Sequence, residues 1–117
     1  MEKIIKINGQ DIPFKATAST TRRYRQRFGK DLFLDINKII INAQTGLTSG
    51  DLECFENIAY IMAKQANEDI PDEPDEWLDQ FELMSVYEVL PQILELWGLN
   101  TQTLEESKKK AGKRSGN

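Results

Sequence analysis

The hydrophobic residues of this chain change their spacing once, near Ser19, and that change limits what each part can form. Before it, apolar and polar residues alternate, as in a strand with one buried face. Asn8-Gly9 interrupts the alternation, and this pair favours the positive-φ turn that joins two short strands. Pro13 cannot donate a ladder hydrogen bond, so its strand is expected at an edge. We therefore predict a β-hairpin over residues 1–17, in which the apolar residues of the alternation are Ile5, Ile7, Ile12, Phe14 and Ala16.

After Ser19 the apolar residues recur every three or four positions, which is typical of helices packed on a core. Residues 19–98 are predicted to form about four to five helices. Ser19 or Thr20 is expected to cap the first helix, and Gly29 is expected to end it. Asp31 is expected to cap the second helix, whose apolar stripe comprises Leu32, Phe33, Ile36, Ile39, Ile40 and Ala43.

A third helix is predicted to begin after Thr48 or Ser49, with acidic residues in its first turn and a long apolar face. Pro74 occupies the first position of a short predicted helix that extends to Phe81.

The last predicted helix completes the fold. Ser85 and Glu88 have the spacing of a capping box, and Pro91 predicts a kink or a restart inside the helix. We expect residues 1–100 to form one α+β domain, a hairpin packed on a helical bundle. Residues 101–117 are polar and basic, and are predicted to be a disordered tail because they have too little apolar surface to offset the entropy of ordering.

Composition excludes several chemistries. The 117 residues include no histidine, which rules out histidine-based acid–base catalysis, serine–histidine–aspartate triads and histidine-ligated metals. The single cysteine, Cys54, cannot form an internal disulfide, so a reducing compartment fits best. The opening residues lack a signal-peptide core, and no apolar run approaches the roughly 20 residues of a membrane span. We therefore expect a cytoplasmic protein.

Charge is segregated along the chain. Residues 1–50 hold 9 basic and 4 acidic side chains, residues 51–95 hold 1 and 13, and residues 96–117 hold 5 and 2. Such asymmetry concerns association with other molecules more than fold.

The densest basic segment, residues 22–30, admits two interpretations. It could contact phosphates with an aromatic platform beside it. Alternatively, it is a solvated face opposite buried Tyr24 and Phe28, with its arginines paired to carboxylates of residues 68–82. The acidic block would repel a polyanion, and arginine suits carboxylate pairing, so we favour protein contact over nucleic acid.

The remaining chemical candidates have ordinary structural explanations. The acidic stretch 68–79 lacks the spacing and the turn glycine of a calcium loop. It is expected to be a solvent-exposed segment at the start of a helix. Cys54 is expected to border the core, since no nearby base is evident. Trp77 and Trp97 are expected to be core or interface anchors. The sequence predicts no catalytic residue, metal site or cofactor.

Several segments, taken in order, resemble the tail assembly chaperones of long-tailed phages and prophages of Gram-positive bacteria. The resemblance covers about residues 3–110 and includes the lysine-rich end. The segments that carry it are INGQDIPFKA (7–16), RYRQRFGKDL (23–32), AYIMA (59–63), WLDQF (77–81) and VLPQILELW (89–97).

This resemblance implies a non-enzymatic role in the bacterial host cytoplasm during virion assembly. Such chaperones bind the tape measure protein, keep it soluble and help recruit tail tube subunits, and they are absent from the mature virion. Many of their genes also yield a longer product by ribosomal frameshifting, and the lysines at 108–110 are compatible with a slippery stretch. The family supplies no binding-residue motif to transfer.

A helical client with apolar stripes requires an apolar surface to shield it. The residues expected to bind protein, chosen from their chemistry, are Arg22, Arg23, Tyr24, Arg27, Phe28, Tyr87, Leu90, Leu94 and Trp97. Charge blocks of opposite sign also favour possible self-association. The alternative function is a small nucleic-acid-binding regulator that uses the basic helix 22–30, for which binding would depend steeply on salt.

Overall fold

The computed structural model describes residues 1–82 and 84–98. Within these ranges, a two-stranded antiparallel sheet at the N-terminus is followed by six helical segments, which confirms the predicted α+β class. The tail predicted for residues 101–117 lies outside the described residues. In the part of the chain that is described, no helix is both long enough and apolar enough to cross a membrane.

The predicted hairpin is present. Strand β1 (Glu2–Ile7) pairs with strand β2 (Gln10–Lys15), and only two residues join them. Asn8 and Gly9 have φ values of 54° and 81°, both left-handed, as a type I′ turn requires. The inward-facing residues of the two strands are buried, namely Ile5, Ile7, Ile12 and Phe14.

The hydrogen-bonding pattern of the hairpin explains how Pro13 is accommodated. Met1 and Ala16 exchange two hydrogen bonds of 2.8 Å between their backbone groups. Bonded and non-bonded pairs alternate along an antiparallel ladder, so the pair of Ile4 and Pro13 is non-bonded. The nitrogen of Pro13 therefore points away from β1, and the proline removes no hydrogen bond between the strands.

Helix α1 (Ala18–Phe28) begins earlier than its sequence predicts. Thr17 is the N-cap, and its N–H donates to Thr20 Oγ1 at 2.9 Å. Ser19 and Thr20 therefore lie inside the helix, because Thr20 serves the capping box from the third helical position. Gly29 ends the helix with φ 69°, as predicted.

The next two helices have the predicted caps. Asp31 caps α2 (Leu32–Asn42), and its carboxylate accepts a backbone N–H of the first turn at 3.0 Å. Thr48 caps α3 (Ser49–Ala66): the side chains of Thr48 and Asp51 each accept the other residue's backbone N–H, at 3.1 and 3.0 Å.

Three shorter helices follow, α4 (Pro74–Leu78), α5 (Ser85–Glu88) and α6 (Leu90–Leu96). The restart predicted at Pro91 is confirmed, because Val89 separates α5 from α6 and Pro91 lies in the first turn of α6. Proline is tolerated there because the first helical N–H groups have no partner within the helix.

Two boundary predictions in this region are wrong. The helix that begins at Pro74 ends before Phe81. Ser85 is not a cap either: it is the first residue of α5, and its hydroxyl donates to Asn8 Oδ1 at 3.0 Å. A contact between distant parts of the chain has replaced the local capping bond.

Helix α3 lies at the centre of the core and packs against β2, α1, α2 and α4. Its six consecutive residues 58–63 are all buried, because neighbouring elements surround the helix. Trp77 of α4 is 1 % exposed and meets three rings edge-on, with centroid distances of 6.4 Å to Phe14, 5.9 Å to Tyr60 and 5.1 Å to Phe81. The indole therefore joins the hairpin, α3 and α4.

Candidate protein-binding surface

Helix α2 is apolar on two faces. Seven of its eleven residues are apolar, and four of these face the core: Leu32, Ile36, Ile39 and Ile40. Phe33, Leu34 and Ile41 instead point to solvent, with exposed fractions of 48 %, 65 % and 54 %. At about 100° per residue, these three fall within one third of the helix circumference. Because a single core covers only one face, the second face is available to another molecule.

Trp97, just after α6, extends this exposed surface. Its ring meets Phe33 edge-on at a centroid distance of 5.6 Å, and its Nε1–H donates to Met62 Sδ at 3.3 Å. The indole is half-buried against the core, so part of it remains accessible. Phe33, Leu34, Ile41 and Trp97 are termed the α2 face below.

Two residues of the apolar stripe predicted for α2 are exposed, whereas the other four are buried. Phe33 lies at the edge of that stripe, about 20° around the helix from buried Ile40, and is 48 % exposed with its ring against Trp97. Ala43 is exposed and follows the last residue of the helix as its C-cap.

Tyr24, predicted to bind protein, is fully buried. Its hydroxyl donates to Asp35 Oδ2 at 2.6 Å, so α1 and α2 are tied together inside the core. Phe28 is half-buried with its ring 5.3 Å from that of Tyr24. In this conformation Tyr24 offers no surface to a partner, and Phe28 offers little.

Arg27 is engaged within the chain. Its Nη2 donates to the carbonyl oxygen of Asp72 at 2.6 Å and lies 3.5 Å from Glu73 Oε2. Its guanidinium also lies 5.9 Å from the centre of the Tyr60 ring. Arg27 therefore pairs with acidic residues of the range 68–82. This pairing agrees with the second of the two interpretations given above for residues 22–30.

The other arginines of α1 behave differently. Arg22, Arg23 and Arg25 are exposed, and none forms an ion pair or side-chain hydrogen bond with residues 1–82 or 84–98. They present three uncompensated positive charges on one helix.

Most of the binding residues predicted on the last helices already pack against other parts of the same chain. Leu94 is buried, and Leu90 is half-buried against the core. Tyr87 is half-buried and donates a hydrogen bond to Glu56, which, with burial, raises the pKa of Tyr87 to about 12. Of the residues predicted in this region, Trp97 is the one that joins the α2 face.

The acidic connector between α3 and α4 is organised by one lysine. Lys64 Nζ donates to the carbonyl oxygens of Glu68 and Ile70, both at 2.7 Å, and to Asp72 Oδ1 at 2.9 Å. The bond between Lys64 and Asp72 lowers the pKa of the Asp72 carboxyl group and raises the pKa of the Lys64 ammonium group. Among the described residues, no group of three or more carboxylate or thiol side chains is placed to hold a metal ion.

Cys54 is buried at the core border, as predicted, but it has a charged neighbour that the sequence did not indicate. Lys30 Nζ donates to Cys54 Sγ at 3.4 Å, and this contact raises the pKa of Lys30.

The buried phenol of Tyr24 predicts a loss of stability in alkali. Burial and the bond to Asp35 raise its pKa well above the usual 10, so the folded chain keeps a proton that the unfolded chain releases. Its stabilising contribution is complete below about pH 10 and is lost as the pH rises further. We expect Tyr24 alone to lower the free energy of unfolding by up to about 1.4 kcal/mol per pH unit above that point, while Tyr60 and Tyr87, whose pKa values are also raised, add to the total slope.

Urea unfolding between pH 8 and 11.5 measures this slope, with Tyr24→Phe as the matched variant. The phenylalanine variant starts less stable, because Asp35 loses its donor, but it should lack the Tyr24 part of the slope. Parallel pH profiles for the two proteins would contradict the prediction.

Sequence reasoning missed Leu34 and Ile41. The available signal was the apolar content of α2, which exceeds what one buried face can use.

A scan against protein-family models, a search of curated proteins and a search of solved structures each find no match for this chain.

Proposed function

We propose that this chain is a non-enzymatic tail assembly chaperone of a long-tailed phage or prophage, acting in the host cytoplasm. In this role it binds the tape measure protein, keeps it soluble and helps recruit tail tube subunits. The α2 face is the proposed client-binding surface.

The exposed apolar face of α2 is the observation that carries this proposal. Leu34 and Ile41 lie seven positions apart, about 10 Å along the helix axis, which matches two turns of a client helix lying alongside. Phe33 precedes Leu34 on the same helix and its ring meets that of Trp97, and aromatic anchors dominate many protein interfaces. An amphipathic helix can bury its own apolar stripe against such a surface.

A nucleic-acid role for residues 22–30 has less support. The aromatic platform it requires is missing, because Tyr24 is buried and Phe28 is half-buried against it. Arg27 is already paired with the acidic segment. Three arginines of α1 have no partner in the described residues, but residues 51–95 of the same chain carry 13 acidic side chains against 1 basic one and would repel a polyanion.

Coexpression tests the proposal. The full chain is produced together with the tape measure protein of the same gene cluster, and the soluble fraction of the latter is measured with and without it. We expect the client to move into the soluble fraction and to co-purify with the chain. A client that stays insoluble and does not co-purify would contradict the proposed function.

A further inference from the structure

A cleft of about 350 Å³ opens where α3, the end of α4 and α5 meet. Its apolar and aromatic lining consists of Leu78, Phe81, Val86 and Tyr87. The rings of Phe81 and Tyr87 are half-buried, so both remain partly accessible to a bound side chain. None of the lining residues belongs to the α2 face, so this cleft is a separate surface.

The rim of the cleft is negatively charged. Glu56, Asp79 and Glu82 line it, and none of its described lining residues is basic. Glu56 accepts a hydrogen bond from Tyr87, whereas the Asp79 and Glu82 side chains are exposed and have no ion pair with residues 1–82 or 84–98. An apolar lining with free carboxylates at its rim suits side chains that have an apolar stem and a cationic end, which are lysine and arginine.

The acidic residues just before the cleft are less suited to such side chains. Asp72 is paired with Lys64, and Glu73 is paired with Arg27. The carboxylates at the start of α4, at positions 75 and 76, are exposed, but neither lines the cleft. A basic segment therefore finds both free carboxylates and apolar contacts at the cleft.

The chain itself carries a basic segment further along. Residues 108–114, with the sequence KKKAGKR, hold five basic side chains and no acidic one. The ten residues from 98 to 108 can span about 33 Å when fully extended and roughly 17 Å as a flexible coil. The segment can thus reach any surface of the same molecule that lies near residue 98.

The cleft is such a surface. Trp97 donates a hydrogen bond to Met62 Sδ of α3 at 3.3 Å, which places the end of the described chain beside that helix. Glu56, on the rim of the cleft, precedes Met62 by six positions, about 9 Å along the axis of α3. The distance is well within the reach of residues 98–108.

We propose that residues 108–114 occupy the cleft of their own chain, with cationic ends between Asp79 and Glu82 and apolar stems against Phe81 and Tyr87. The tether favours this contact, because it keeps the segment at an effective concentration on the order of millimolar. The segment covers the apolar lining, so any other molecule must displace it before binding there.

Paramagnetic broadening of nuclear magnetic resonance signals tests this contact in the full chain. A nitroxide is attached to the single thiol of the variant Ser107→Cys with Cys54→Ala, labelled with ¹⁵N. At low salt we expect broadening of the amide signals of Phe81, Val86 and Tyr87. High salt should remove this broadening, because the contact is electrostatic.

An exchange of charges identifies the two sides of the contact. The changes Asp79→Lys and Glu82→Lys together should abolish the broadening at the cleft. The changes Lys108→Glu, Lys109→Glu and Lys110→Glu together should do the same. Combining all five changes places opposite charges together again and should recover most of the broadening. A combined variant without recovery would contradict direct pairing.

The matched control reverses two exposed carboxylates of α4 outside the cleft, as Asp75→Lys with Glu76→Lys. This control should keep the wild-type broadening at the cleft. An equal mixture of ¹⁵N-labelled chain without nitroxide and unlabelled chain with nitroxide reports contacts between copies, and it should show far weaker broadening. The proposal is wrong if the wild type shows no broadening at the cleft, if the control loses it like the cleft variant, or if the mixture broadens as strongly as the wild type.

Discussion

Replacing Trp77 with alanine should lower the free energy of unfolding by about 3–5 kcal/mol, the largest single-residue effect we expect on stability. The indole is 1 % exposed and packs edge-on against rings of the hairpin, α3 and the segment after α4. Helix α4 has only five residues, too few to be stable by itself. Losing the indole would therefore leave a cavity and would also detach α4 from the core. Urea unfolding followed by circular dichroism measures the change.

Two variants serve as controls for this prediction. Trp77→Phe keeps an aromatic ring and should lose less stability, so it remains measurable even if the alanine variant does not fold. Trp97→Ala makes the same chemical change at a half-buried position and should also cost less. The assignment of Trp77 as the centre of the core would be wrong if Trp97→Ala proved equally destabilising.

The double change Leu34→Asp with Ile41→Lys should weaken client binding by roughly 100-fold or more while leaving the fold intact. Full burial of one leucine or isoleucine contributes about 1.5–3 kcal/mol, and both side chains would be replaced by charged ones. The two charges suit the helix dipole, since aspartate enters the first turn of α2 and lysine enters the last. Pull-down of the coexpressed tape measure protein reports binding, and a thermal melt reports folding.

The matched control lies on the hairpin. Ile4 is exposed to the same extent as Leu34, 65 %, but lies on the solvent side of β1. Ile4→Lys should therefore bind client like the wild type. Equal loss of binding in this control and in the α2 variant would mean that general surface hydrophobicity, and not the α2 face, governs the interaction.

The elements that could be predicted from sequence are those determined by neighbouring residues. The Asn8-Gly9 turn and the Asp31 and Thr48 caps depend on contacts within four positions, and all were found as expected. Ser85 could not be predicted, because its partner, Asn8, is 77 positions away and becomes available only in the folded chain.

The surface was harder to predict than the fold for a related reason. Residue type suggested that Tyr24 and Leu94 would face a partner, but both are buried. Spacing did predict the core-facing side of α2: its stripe included Leu32, Ile36, Ile39 and Ile40, which are buried, and left out Leu34 and Ile41. Spacing could not show that Trp97 would lie against Phe33, 64 positions earlier in the chain, because that contact exists only in the folded chain.

The orientation of Pro13 has a consequence for a protein that works beside aggregation-prone chains. A bare strand edge can recruit another extended segment and start fibril-like growth. On the outer edge of β2, the middle of the three outward-directed backbone nitrogens belongs to Pro13 and carries no hydrogen, and charged Asp11 and Lys15 stand on either side. A client or a neighbouring copy thus cannot extend this sheet by continuous backbone pairing along β2, which restricts contacts there to side chains and keeps them reversible.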